Sequence, residues 1–124
     1  MAGTIAADTM THSTAGSIAT NYVVEGSAKA WFHYDGSGTT FADSFNGASA
    51  TDDGTGTYTM TFTSAMSNAN YAVTVSDDDG GTTRAFTHAK TYATGSFATR
   101  SSRGDTGANT DKTTVSTAVL GDLA

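Results

Sequence analysis

The chain has 124 residues and a formal net charge of −6, with no cysteine and no proline. This length predicts a single domain. Without cysteine, neither a disulfide framework nor a thiolate metal site can form.

Six scattered lysines and arginines do not provide the basic stripe that nucleic-acid binding requires. No apolar run approaches the roughly twenty residues of a membrane span. We therefore expect no nucleic-acid partner and no membrane partner.

Leu, Ile, Val and Phe together number only 16 residues. Such a fraction indicates disorder when the net charge is high. Here the charge is modest, helix formers are scarce, and Thr, Tyr, Phe and Val carry the pattern, which predicts an ordered all-β chain. Small domains with small cores need disulfides, metals or oligomerisation to be stable. Because cysteine is absent, we expect self-association.

Residues 1–25 are predicted to form an extended N-terminal arm for docking and oligomerisation. Met1 to Ala7 lacks the basic start and apolar core of a signal peptide, so we expect the protein to act where it is assembled. Thr4–Met10 predicts a weak strand and Tyr22–Val24 a short strand. One alternative is an arm that contacts nothing, but its apolar side chains would then remain in water. The packing candidates in the arm are Ile5, Ile18, Tyr22, Val23 and Val24.

The segment from Lys29 to Tyr34 holds the only tryptophan and predicts an aromatic strand. Alternation places Trp31 on one face and Phe32 and Tyr34 on the other. Since both faces carry rings, we expect both to be covered by a second sheet, the arm or another subunit. Trp31, Phe32 and Tyr34 are therefore further oligomer or packing candidates. The glycine-rich turn after this strand and the strand Phe41–Phe45 complete a β-hairpin.

Further strands occur at short and fairly even spacing. Thr57–Thr63 alternates most regularly, with Tyr58, Met60 and Phe62 facing inward. Other strands are predicted at Tyr71–Val75, Arg84–Tyr92, Ser96–Ser101 and Thr113–Leu120. This spacing is typical of an antiparallel β-sandwich or a small jelly-roll-like barrel, which we place at residues 26–124.

Two polar motifs are candidates for surface contact. Asp77-Asp78-Asp79-Gly80-Gly81 could bind Ca²⁺, but its spacing differs from that of a calcium loop, and an exposed turn is favoured. Arg103-Gly104-Asp105 matches a short adhesion tripeptide, which occurs often by chance, and is interpreted as a loop. The surface-contact loop candidates are Asp77, Asp78, Asp79, Arg84, Arg103 and Asp105.

No motif predicts catalysis. His12, His33 and His88 lie on separate segments, whereas a zinc site needs three or four converging ligands. The three histidines could converge from remote strands, or three copies of one histidine could meet on a trimer axis. Partly buried histidines that form hydrogen bonds within the sheets are the favoured interpretation. No nucleophile elbow and no pair of carboxylates in contrasting environments is evident. We predict that the protein is not an enzyme and has no metal site and no cofactor.

Several motifs resemble a family in the order in which they occur. They are Lys29-Ala30-Trp31-Phe32, Asp35-Gly36-Ser37-Gly38, Asp43-Ser44-Phe45-Asn46, Asp52 to Tyr58, Phe62 to Met66 and Asn68 to Val73. Together they resemble a domain of bacteriophage tail-fibre-type proteins, over about two thirds of the chain. These motifs mark a fold and carry no chemistry. The resemblance implies a homotrimer.

The resemblance implies a virion structural protein of the tail-fibre type. Such a protein is an exterior appendage that presents loops for host-surface attachment, with a glycan as the candidate ligand. It would be assembled in the bacterial host cytoplasm and would contact other virion proteins through its arm. The alternative is a capsid decoration or cement protein that stabilises the head shell and binds no ligand; the shortness of the chain favours it.

Overall fold

The computed structural model describes residues 3, 6–36, 40–78 and 84–124. Within them the chain forms ten strands and one short helix. In chain order these are β1 Thr9–His12, β2 Gly16–Ala19, α1 Thr20–Gly26, β3 Ala28–Asp35, β4 Phe41–Phe45, β5 Gly47–Asp52, β6 Thr57–Phe62, β7 Ala72–Asp78, β8 Ala85–Ala93, β9 Ser96–Arg103 and β10 Thr114–Leu120. The predicted strands after the arm are confirmed.

Eight of these strands form two four-stranded antiparallel sheets. The first sheet has the order β4-β3-β10-β7 and the second has the order β5-β6-β9-β8. Strands β4 and β5 contact each other at one side of the sandwich, and β7 and β8 contact each other at the opposite side. The all-β prediction is confirmed in its sandwich form. Strands β1 and β2 pair only with each other, as a separate hairpin.

The core lies between the two sheets and is mainly aromatic. Phe97 is fully buried, and its ring centroid lies 5.7 Å from that of Phe32 and 5.8 Å from that of Phe62. Tyr58 and Met60 are also fully buried, so the inward face predicted for β6 is confirmed. Tilted and edge-on ring pairs of this kind each contribute about 0.5–1.5 kcal/mol beyond the burial of area.

The aromatic strand β3 is covered by its own chain on one face only. Phe32 and Tyr34 face the second sheet and are almost completely buried. Trp31 on the other face is 38% exposed and His33 is exposed. The chain therefore leaves the Trp31 face open, and its cover by another subunit stays a prediction.

A register shift in the β3–β4 hairpin sends two phenylalanines to opposite faces. Phe45 pairs with Trp31, whereas Phe41 pairs with Tyr34, because the pairing shifts between His33 and Tyr34. A bulge inserts an extra residue into one strand and so reverses the facing of the residues beyond it. Consequently Phe41 packs against the core, while Phe45 lies on the outer face and is 54% exposed.

The strand predicted at Tyr22–Val24 is wrong, because these residues lie in helix α1. The Thr20 N–H and hydroxyl donate to the carbonyls of Asp8 and Ala7, at 2.9 and 2.7 Å, and hold the start of the helix against the preceding segment. Local hydrogen bonds satisfy the helix backbone where no neighbouring strand is available to pair. The weak strand predicted at Thr4–Met10 is observed later, as β1, and Ile5 lies outside the described residues.

Candidate functional site

Exposed apolar side chains are concentrated on the arm, here defined as residues 6–26. None of its residues is buried. Met10 and Ile18 are register partners across the β1–β2 hairpin and are 51% and 46% exposed. Tyr22 and Val24 on α1 are 68% and 55% exposed. Of the packing candidates predicted in the arm, all four that the structure describes are therefore available to a partner.

The arm also forms a concave, mainly apolar pocket that is open to solvent. This cavity of about 570 Å³ lies between the segment before β1 and helix α1. Its lining consists of Ala6, Ala7, Asp8, Met10, Thr20, Val23 and Val24. An apolar side chain from another molecule could enter this cavity and contact both walls.

A buried lysine joins the arm to the sandwich. The Lys29 ammonium donates to the carbonyl of Val24 and, at 2.9 Å each, to the carbonyl and hydroxyl oxygens of Ser27. A cation favours the carbonyl end of a helix, where backbone acceptors lack partners. The side chain of Lys29 is therefore directed toward the end of α1.

The candidates on β3 separate into two kinds. Phe32 and Tyr34 are core residues of their own chain and cannot reach a partner. Burial, with the negative charges of Asp52 and Asp35 as smaller causes, raises the pKa of Tyr34 to about 12. Only Trp31 is available, next to Phe45.

A shallow groove of about 270 Å³ lies beyond Trp31 on the same outer face. Its walls are the small side chains of β7 and β10, including Thr74, Ser76, Ser116 and Ala118. The Ser116 hydroxyl and His33 Nδ1 are 3.1 Å apart. This outer face therefore combines two exposed rings with hydroxyl groups that can form hydrogen bonds.

The acidic candidates of the predicted turn begin inside a strand. Asp77 and Asp78 are the last residues of β7, and Asp79 lies outside the described residues. The carboxylate of Asp77 accepts a hydrogen bond from the Thr87 hydroxyl and lies 4.0 Å from the buried Lys112 ammonium. Asp77 is thus half-buried and joined to its own chain.

The arginine and aspartate of the adhesion tripeptide bind each other. Arg103 donates twice to the Asp105 carboxylate, at 3.2 Å from both Nε and Nη2. These hydrogen bonds hold the pKa of Asp105 below its usual range. Arg84 precedes β8 and is exposed. The contact role of these loop residues stays a prediction.

No group of three potential metal ligands occurs among the residues that the structure describes. His12 lies in the arm, where its Nδ1 accepts hydrogen bonds from the Thr14 and Ala15 N–H groups. His33 and His88 lie on different sheets. Within the described part of the chain, no helix is long and apolar enough to cross a membrane.

Sequence reasoning missed two exposed rings, Phe45 and Phe86. Phe86 on β8 is 69% exposed, and Phe45 faces outward because of the bulge. For Phe86, the small residues at the alternate positions Ala85, Thr87 and Ala89 were an available signal of an outward ring. Comparison of the chain with family models, curated proteins and solved structures finds no match.

Proposed function

We propose that the protein is a bacteriophage virion structural protein of the tail-fibre type. It acts as a homotrimeric exterior appendage that presents loops for attachment to a host-surface glycan. The observation that carries this proposal is the arm, a folded segment with exposed apolar side chains and no buried residue. The motif resemblance supplies the class of protein.

The energetics of the arm support an attachment role. Burial of one large apolar side chain contributes about 1.5–3 kcal/mol, and Met10, Ile18, Tyr22 and Val24 are all about half exposed or more. Their burial against neighbouring copies or another virion protein would supply several such contributions. In contrast, the sandwich has its own aromatic core. The arm therefore provides attachment, and the loops of the sandwich are directed to the host.

A specific observation also favours the second candidate, a capsid decoration protein. Trp31 and Phe45 are register partners with exposed rings on the outer face of the first sheet, and such a face can pack against a capsid subunit without any ligand. The two candidates use the same arm. They differ in whether a sugar binds and in where the protein lies on the particle.

A triple variant of the arm tests the attachment role. Ile18→Ser, Tyr22→Ser and Val24→Ser together remove exposed side chains only, so circular dichroism is expected to remain unchanged. Sedimentation velocity is expected to give three times the 12.6 kDa chain mass for the wild type and a monomer for the variant. The matched control, Leu123→Ser, removes a partly exposed apolar side chain outside the arm and is expected to remain trimeric. A monomeric wild type would contradict the proposal.

Particle localisation and a glycan array separate the two candidates. Antibody labelling of the tail together with saturable binding to one sugar supports the tail-fibre role. Labelling of the head shell with no bound sugar overturns the tail-fibre role and favours decoration. The arm variant is expected to be absent from purified particles in either case.

A further inference from the structure

The charges of the chain are separated into blocks. Residues 30–83 contain no lysine or arginine, and residues 84–103 contain four of these cations and no aspartate or glutamate. The remaining two cations, Lys29 and Lys112, are buried. Every lysine or arginine that is not buried therefore lies on β8, on β9 or immediately before β8.

Three of the basic side chains form one surface, here called the basic edge: His88, Lys90 and Arg100. Strand β8 is the edge strand of the second sheet, and His88 is the register partner of Arg100. Arg100 alternates with the buried Thr99 and Ser101, so it faces outward. Its Nε donates to the Asn109 side chain at 2.8 Å, which fixes the guanidinium without neutralising it.

The opposite side of the sandwich carries an acidic edge, formed by Asp43, Asp52 and Asp53. Asp43 lies on β4 and Asp52 ends β5, the edge strands of the two sheets on that side. The Asp52 carboxylate accepts from the Gly54 N–H at 2.9 Å, and the Asp53 carboxylate accepts from the Thr59 hydroxyl at 2.5 Å. Local hydrogen bonds thus hold both carboxylates in position.

Asp53 of the acidic edge and Arg100 and His88 of the basic edge lie at the same height along the strands of the second sheet. Thr57 pairs with Arg100, and Arg100 pairs with His88. At the acidic end of this row, the Asp53 N–H donates to the Thr57 carbonyl at 2.9 Å. The edge strands β5 and β8 are three strand spacings apart, about 14 Å, and no ion pair between the two edges occurs among the residues that the structure describes.

We propose that copies of this chain associate with the basic edge of one copy against the acidic edge of the next. Such a head-to-tail contact forms a closed ring when the rotation that relates neighbouring copies closes on itself. In a ring, neighbouring copies differ by a rotation without translation along the axis, so two surfaces that meet must lie at the same height along that axis. The equal heights of Asp53, Arg100 and His88 fit a ring axis parallel to the strands. This inference rests on the self-association in the proposed function and adds the surfaces that meet.

The ion pairs set the orientation of neighbouring copies, while the apolar arm supplies most of the binding energy. An exposed ion pair contributes only about 0–1 kcal/mol. Complementary charge nevertheless accelerates encounter and disfavours wrong pairings. A second copy is favoured over a polyanionic ligand because the complementary acidic surface is present on the same chain.

Charge reversal of the full chain tests the contact. Lys90→Glu with Arg100→Glu places acidic groups on both edges, and Asp43→Lys with Asp53→Lys places basic groups on both. Sedimentation equilibrium at low salt is expected to show self-association weakened at least about tenfold in each double variant, with a smaller difference at high salt because exposed charges are screened. The variant with all four substitutions is expected to recover wild-type association to within about threefold, because it reverses both partners.

Arg84→Glu with Arg103→Glu is the matched control, since it changes the net charge equally outside the basic edge. Equal weakening by this control, or no recovery in the fourfold variant, would overturn the proposal. If no variant alters self-association, the contact between the two edges is also overturned, but the proposed trimer is not. A monomeric wild type would instead contradict the proposed function itself. Binding of heparin at the basic edge, with no effect of the acidic-edge variant on association, would favour a polyanionic ligand instead.

Circular dichroism reports whether each variant folds. If a charge-reversal variant does not fold, a neutral double variant replaces it. The neutral variant of the basic edge is Lys90→Gln with Arg100→Gln, and that of the acidic edge is Asp43→Asn with Asp53→Asn. These neutral variants are expected to weaken association less than the reversals and to lose the salt dependence. Unchanged salt dependence in both of them would refute the contact.

Discussion

The Tyr58 hydroxyl lies 2.9 Å from the Gly36 carbonyl oxygen and connects the two sheets of the sandwich. Tyr58 belongs to β6 of the second sheet, and Gly36 comes directly after β3 of the first. The same hydroxyl lies 3.2 Å from the Asp111 carboxylate and accepts from the Lys112 N–H at 3.4 Å. Because Tyr58 is fully buried, this polar group needs partners within the protein. The arrangement fixes the end of β3 and the loop before β10 to one side chain.

Tyr58→Phe is expected to destabilise the fold by about 1–3 kcal/mol, since the buried Gly36 carbonyl loses its donor and the Lys112 N–H loses its acceptor. Urea unfolding followed by circular dichroism measures this change. Tyr22→Phe is the matched control because Tyr22 is 68% exposed, and we expect a change within about 0.5 kcal/mol. Equal stability of the two variants would show that the bridge between the sheets contributes nothing.

Gly36→Ala is expected to destabilise the fold by about 1–3 kcal/mol through overpacking. A Cβ at this position would overlap the backbone carbonyl of Lys112 and approach the Tyr58 hydroxyl at 3.1 Å. Gly95→Ala provides the control, since no atom lies within 4 Å of the added Cβ there. Thermal unfolding of both variants distinguishes close packing at Gly36 from a general effect of removing glycine.

Phe97→Ala is expected to cost about 3–5 kcal/mol, because a fully buried ring leaves a cavity among its neighbours. Small domains have only about 5–15 kcal/mol of total stability, so this variant is expected to lose a large fraction of it. Phe86→Ala removes the same ring from a position that is 69% exposed and is expected to change stability by less than about 0.5 kcal/mol. A similar cost for both would contradict the assignment of Phe97 to the core.

Stability is expected to fall as the pH rises from about 10 to about 12. Burial raises the pKa of Tyr34 to about 12, while the unfolded chain titrates near 10. Over this interval the unfolded state loses its proton first, so the native state binds more protons and loses stability with pH. Burial raises the pKa of Tyr58 in the same direction.

The urea midpoint measured from pH 8 to pH 12 checks this expectation. Tyr34→Phe is expected to show a shallower fall than the wild type, because one group with a raised pKa is removed. Tyr22→Phe is expected to follow the wild-type curve. Identical slopes for Tyr34→Phe and the wild type would contradict a neutral, buried Tyr34.

The sites were less predictable from sequence than the strands. Alternation identified the inward residues of β6 correctly, because facing depends on neighbours two positions away in the same strand. Facing in β4 depends on a bulge in the pairing with β3, which places Phe45 beside Trp31. The aspartate run predicted as a turn begins within β7, where Asp77 lies near Lys112, because the length of a strand depends on its partners.

By itself, the sequence determined the all-β class, the positions of seven of the eight sandwich strands, and the polar and apolar faces of the most regular strands. Each of these comes from a period of two residues, which is a local property. Only the tertiary structure decided that Tyr22–Val24 is helical, that Lys29 and Lys112 are buried, and that the remaining cations gather at one edge. These features depend on which distant segments meet, since pairing, burial and capping come from residues far apart in the chain.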